Sequence, residues 1–152
     1  MYKKVLIPLD GSELAEKAFE HLRSVVKVNE IEKVVLVRVV EAILPDIKSN
    51  IGAEHLHQAE EKREKEAERY LKKIAKELAA ENIPAETRLV IDGEPAEKIL
   101  EVAEEEDVDL IIMCSHGRSG FKRWLFGSVA SKVLHHSPVP MLIAVPEEKK
   151  KR

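Results

Sequence analysis

The chain has 152 residues, is 44% hydrophobic and carries a formal net charge of -3. That length suits one domain with a substantial core, expected here over residues 1–146 and followed by a charged tail, Glu147 to Arg152. The mild acidity gives no drive toward nucleic acid, and no apolar run approaches the ~20 residues of a membrane span. One cysteine excludes an internal disulfide and suits a reducing compartment. The chain opens directly on a strand-like segment, so no leader peptide and a cytoplasmic location are expected. Only 4% of residues are aromatic, so the core must be aliphatic.

Val5 to Leu9 reads as a buried strand. Ser12 is placed to cap a helix running to about Lys27, with Leu14, Ala15, Ala18, Leu22, Val25 and Val26 on one face. Val34 to Val40 is a second strand, almost continuously apolar as a strand covered on both faces should be. A lone charge, Arg38, interrupts it. Pro45, Asp46, Ser49, Asn50 and Gly52 mark a loop from Ala42 to Ala53. A long helix follows from about Glu54 to Asn82, with Ala67, Tyr70, Leu71, Ile74, Ala75 and Leu78 at helical spacing. Glu61/Lys65 and Glu68/Lys72 are spaced to pair on its solvent side.

A third strand spans Glu86 to Ile91. Asp92-Gly93 turns the chain, and Pro95 suits the first turn of a helix reaching Glu106. Leu110 to Met113 is the fourth strand. After a glycine-containing loop, Gly127-Ser128 opens a helix ending near His136. Pro138 to Val145 is the fifth strand. Strands alternating with helices imply a parallel sheet wrapped by right-handed crossovers.

The stretch from Met113 to Val129 carries the chemistry. Glycines let backbone amides approach a phosphate with no side chain between. A helix start presents unpaired N–H groups and a positive dipole end to an anion. Gly117 and Gly127-Ser128 therefore fit an anion-binding loop, although each also suits an ordinary loop glycine and helix cap. No G-x-x-x-x-G-K-[ST] occurs, and no G-x-G-x-x-G follows the first strand. No nucleophile-elbow triad or metal-ligand cluster stands out. His55 and His57 do not share a helix face. His135 and His136 answer a helix dipole better than they bind metal.

The spacing resembles the universal stress protein family, whose nucleotide-binding members carry G-x2-G-x9-G-[ST] here. Gly117, Arg118 to Phe126 and Gly127-Ser128 follow that pattern, while Cys114 stands where the first glycine would. The resemblance runs from Lys3–Ser12 to Pro138–Val145. It implies an open five-stranded parallel sheet of order 3-2-1-4-5 with helices on both faces, the adenine nucleotide alpha hydrolase-like fold. Ligands of such sheets bind beyond the strand carboxyl ends where the order reverses, here between strands 1 and 4. Asp10-Gly11-Ser12 and Cys114 to Gly117 flank that point.

By resemblance, Asp10 contacts the nucleoside, although a turn or cap carboxylate is its plain alternative. Val39 and Met113 line the base and nucleoside pocket, and Gly117, Gly127, Ser128 and Val129 hold phosphates. Arg118, Lys122 and Arg123 could screen phosphates or simply be solvated. Phe121, Trp124, Leu125 and Phe126 are expected to pack their loop onto the domain. If the family glycine serves a positive φ, Cys114 costs on the order of 1–2 kcal/mol. If it serves close approach, the thiol crowds the ligand and Cys114→Gly tightens binding. A small buried residue or a redox thiol are the other readings of Cys114.

The resemblance thus implies an ATP-binding stress-response or signalling module, with ADP or AMP as related ligands and magnesium or manganese accompanying the phosphates. The alternative is a nucleotide-independent dimeric interaction protein of the same family. Slow ATP hydrolysis ranks last, because no well-placed general base is evident. An unidentified protein partner is expected, with no nucleic acid and no membrane. Strand 5 would be an uncharged edge, so Met141, Leu142, Ile143, Ala144 and Val145 are expected to pair two copies antiparallel.

Overall fold

Near-continuous aliphatic runs and amphipathic helices assemble as their patterns require. The computed structural model describes residues 1–43, 52–116 and 126–146. In chain order these form β1 (Lys4–Pro8), a 3-10 turn (Ala15–Lys17), α1 (Ala18–Val26), β2 (Lys33–Val40), α2 (Ala53–Ala80) and β3 (Ala85–Ile91). Then come α3 (Pro95–Glu105), β4 (Leu110–Cys114), α4 (Ser128–His136) and β5 (Met141–Ala144). The loop between β2 and α2 lies largely outside the described residues, as do Gly117 to Leu125 and the tail.

The five strands form one sheet in the order β3-β2-β1-β4-β5, every pairing parallel. Side chains alternate between its two faces. Val5, Ile7, Val34, Leu36 and Ile112 meet Phe19 and Leu22 of α1 and Leu71, Ile74 and Leu78 of α2. Leu6, Val35, Val37 and Ile111 meet Ile99 and Val102 of α3 and Val133 of α4 on the other face. Burying each such side chain fully contributes roughly 1.5–3 kcal/mol, which is why both faces must be covered.

Most boundaries shift by a residue or two from the sequence reading, and β1 ends at Pro8 rather than Leu9. Ser12 Oγ does accept from Ala15 N–H at 3.2 Å, but the turn it caps is 3-10 and the regular helix starts at Ala18. β5 begins at Met141 rather than Pro138. Pro138 and Pro140 lack the N–H a ladder needs, and Ser137 Oγ instead ties off the turn by donating to Val139 O and accepting from Val139 N–H. β4 extends to Cys114. On α2, Glu68 and Lys72 meet at 3.0 Å, whereas Glu61 turns to His57 at 3.7 Å instead of Lys65.

At the amino end of the sheet, Glu106 joins β2, β3 and α3. Its carboxylate accepts from Lys33 Nζ at 2.7 Å and Arg88 Nη1 at 2.5 Å, and its side chain is only 16% exposed. These two hydrogen bonds, Lys33 first, hold the Glu106 carboxyl below its ordinary range. A depressed carboxyl stabilises the fold fully above its unfolded pKa and ceases to do so as pH falls through its folded value. Glu106→Gln should therefore cost about 1–2 kcal/mol at neutral pH. In urea titrations the gap between variant and parent should close as pH drops below about 4.3, the unfolded carboxylate value. A gap no smaller at pH 3 than at pH 7 would contradict this account.

Candidate functional site

β1 and β4 carry their chains to opposite sides of the sheet, leaving a crevice at their carboxyl ends. The structure shows a cleft there of about 510 Å³. Asp10, Val39, Met113, Cys114, Ser128 and Val129 all line it, together with Gly127. Gly117 and the basic and aromatic residues between it and Phe126 lie outside the described residues.

The β2 side of the cleft is made by backbone. Leu9 N–H donates to Val37 O at 2.8 Å, the last rung between β2 and β1. Backbone polar groups in a parallel strand face alternate neighbours. Arg38 and Val40 therefore face β3, where Val40 O accepts from Asp92 N–H at 2.8 Å. Val39 faces the β1 side, beyond the point where β1 has ended. Its N–H and C=O find no backbone partner among the described residues. An adjacent donor and acceptor are thus presented to the cleft.

β1 supplies Asp10. One carboxylate oxygen, Oδ1, accepts from Ser12 N–H at 2.9 Å and from Ser12 Oγ at 2.5 Å, a tight Asx turn. The structural reading of Asp10 is thereby met, while the residue still lines the cleft.

β4 and α4 supply the far wall. Ser115 is fully buried and ties three elements together. Its N–H donates to Ala144 O at 2.9 Å, its carbonyl accepts from Gly127 N–H at 2.6 Å, and its Oγ lies 3.0 Å from His116 Nδ1. Gly127 N–H is consequently already paired. What the position requires is closeness, since a Cβ there would stand 3.2 Å from the Ser115 carbonyl. The amides that remain open at the start of α4 are those of Ser128, Val129 and Ala130, for which no acceptor occurs among the described residues. Ala130 was not singled out from the sequence, though its place in the first turn could have shown it.

Two helices start at this cleft, and they differ in charge. Glu94 caps α3, accepting from Ala96 N–H at 3.3 Å, Glu97 N–H at 2.9 Å and Lys132 Nζ at 3.1 Å. The bond from the Glu97 backbone leads the causes that hold the Glu94 carboxyl low. That N-terminus already holds an anion. α4 has a glycine cap, no side-chain cap bond and no acidic residue in its first turn. Among the described residues nothing neutralises its dipole end, which therefore suits an external anion.

Cys114 pairs with Ala144 inside the β4–β5 ladder, so its backbone is ordinary strand. The non-glycine residues with positive φ, among those described, are Asn82, Asp92 and Asp107. The strain considered from the motif does not arise. Cys114 shares a sheet face with Ile112, toward α1, and is 6% exposed. Burial pushes the thiol up, opposing the redox-sensor reading, although backbone donors at His116 and Ser115 partly offset it. Sequence reasoning also passed over Arg63 and Glu66, which α2 brings to the rim.

The family model for the universal stress protein family matches residues 1–145. Universal stress protein MJ0577 of Methanocaldococcus jannaschii is 36% identical, with 94% of each chain covered. A solved structure of MJ0577 superposes with a TM-score of 0.85 at 35% identity, over 98% of this chain and 99% of that one. More distant likenesses in fold include an Arabidopsis thaliana family member with AMP bound, at TM-score 0.69 and 15% identity over 95% of this chain and 92% of that one. Another is a universal stress protein in complex with cAMP, at TM-score 0.68 and 20% identity over 95% and 97% of the two chains. The sheet order and the helices on both faces are those of the adenine nucleotide alpha hydrolase-like fold of these relatives. With its family match running from the first residue through β5, this chain belongs to the universal stress protein family.

Proposed function

We propose that the cleft binds an adenine nucleotide, ATP or its di- or monophosphate with magnesium or manganese on the phosphates, and that occupancy signals stress to a partner or to a second copy. The observation that carries this reading is the order of groups across the strand ends. Val39 on β2 offers an N–H and C=O with no backbone partner among the described residues, Asp10 follows on β1, and the N-terminus of α4, uncapped among those residues, lies past β4. Neighbouring strands are about 4.8 Å apart, so base, ribose and phosphate fit that sequence of groups. The AMP and cAMP bound by distant family members agree with it.

The Val39 pair also sets a base preference. Adenine presents an acceptor, N1, beside a donor, the 6-amino group, which complements a strand N–H and C=O. Guanine presents the reverse at the same edge and would leave both backbone groups unsatisfied. Calorimetry on nucleotide-free protein should show heat with ATP–magnesium and with AMP, and binding of GTP at least about tenfold weaker. Absence of heat with millimolar ATP would sink the proposal.

Cys114 is the feature that favours the alternative, a nucleotide-independent interaction protein. Because its thiol sits in the wall toward α1, its removal should act on stability more than on affinity. Cys114→Gly is expected to lose about 1–2 kcal/mol in denaturant unfolding and to leave ATP affinity within about threefold, a shift of under 1 kcal/mol. A tenfold tightening would mean that the thiol stands in the ligand's path.

We also propose the homodimer through β5. β5 is an edge strand, and Met141, Leu142 and Ile143 are only half-buried. Val145 just beyond it is 54% exposed, and Leu134 on α4 is 42% exposed. An uncharged edge with such flanks is a pairing surface. Sedimentation velocity at micromolar concentration should give a dimer for the parent protein. Ile143→Lys should shift it to monomer, and so should Val145→Glu, which leaves the core untouched. A monomeric parent protein would refute the interface.

A further inference from the structure

Arg38 is the one charge in the apolar run of β2, and the nucleotide reading gives it no task. The structure sets it in a fitted position. Gly11, next to Asp10, has φ +84, and a Cβ there would fall on Arg38 Nη1 and within 3.2 Å of Cζ and Nη2. The guanidinium also lies over the Tyr70 ring, 5.3 Å from its centroid. A planar cation is thus packed against both a glycine backbone and an aromatic face. The Tyr70 hydroxyl is buried with no hydrogen-bond partner among the described residues, so the ring face is what Tyr70 contributes here. Burial pushes that phenol up, with lesser influences from the Glu16 carboxylate, the Arg38 cation and the Asp10 carboxylate.

We propose that Arg38 is a positioning residue: packed against Gly11 and Tyr70, it holds the Asp10–Gly11–Ser12 turn in the conformation that presents the Asp10 carboxylate to the cleft. The turn has a positive-φ glycine at its centre, a backbone state that a free loop leaves readily. A guanidinium seated where a side chain would be removes that freedom before ligand arrives, and such pre-organisation strengthens binding. Lysine cannot replace it, because a compact ammonium has no plane to lay on the ring. The effect on ligand rests on the nucleotide reading, with Asp10 accepting from a ribose hydroxyl, while the lock itself does not.

The Ser12 N–H, bonded to Asp10 Oδ1, reports the lock without ligand. In hydrogen exchange on the ligand-free protein, Arg38→Ala should speed exchange at Ser12 about tenfold while core amides such as Leu6 hold their rates. Arg38→Lys should do the same and serves where the alanine variant fails to fold. Tyr70→Phe, which keeps the ring, should stay within about twofold of the parent. Unchanged Ser12 exchange in both Arg38 variants overturns the lock, and acceleration by Tyr70→Phe overturns the ring clamp. In calorimetry the parent protein should favour ATP over 3′-deoxy-ATP by about tenfold, and that ratio should fall toward one in the Arg38 variants. A ratio that survives Arg38 replacement overturns the positioning role, since a general loss of structure would weaken both ligands alike. A parent protein that binds no ATP overturns the nucleotide reading instead, and the exchange result then decides the lock alone.

Discussion

The hydrogen bond from Leu9 N–H to Val37 O is the last rung between β1 and β2, and the position of the cleft follows from it. β1 ends at Pro8, paired with Val37, while β2 runs on to Val40. Had β1 continued, its backbone would have covered Val39 and filled the space now open beside it. Gly11, with φ +84, turns the chain away at once, which a residue with a Cβ does only at a cost. The cleft is therefore a mismatch in strand length, kept open by one turn.

Rigidity around that mismatch comes from the two cores. Each strand that contributes to the cleft is packed on both faces below it, with Val5, Leu6, Ile7, Val34, Val35, Leu36, Ile111 and Ile112 essentially inaccessible. Such close-packed interiors do not deform continuously. The groups at the strand ends thus keep their spacing, and adjustment is left to connecting segments. The electrostatic side of the site is also built by contrast. Glu94 neutralises the start of α3 with the chain's own carboxylate, and the start of α4 has no equivalent. Of these two helix starts, only that of α4 lacks a carboxylate among the described residues.

Much of this was legible in the sequence. Strands covered on both faces are read easily from runs such as Val34 to Val37, and α2 from Leu71, Ile74 and Leu78. The order of the strands needed the family resemblance, because alternation of strand and helix gives a parallel sheet without giving neighbours. What was not legible depends on where one element stops relative to another. The open backbone of Val39 depends on Pro8 ending β1. The pairing of Gly127 N–H depends on the Ser115 carbonyl, which the spacing of glycines does not reveal. Arg38 did leave a signal, a single charge inside an apolar strand, but its partner Tyr70 lies 32 positions on, within α2. The prolines at 138 and 140 were visible too, and the missing donors alone would have shortened β5.

A site read through backbone has a consequence for how such a sequence can vary. Val39 contributes to the second core through its side chain and to the cleft through its N–H and C=O. Replacing that side chain changes packing and leaves the donor and acceptor in place, so apolar substitution there need not change what the cleft recognises. The same reasoning covers Cys114. Its amide and carbonyl are fixed by a regular ladder and its thiol is in the wall, so the departure from glycine alters the interior first. Asp10 differs from both, because only its side chain can offer a carboxylate. It is also the group whose geometry rests on a turn rather than a ladder, stabilised by Ser12 and flanked by Arg38. Variation at that turn, rather than in the aliphatic strands, is where a chain of this fold would change the groups its cleft presents.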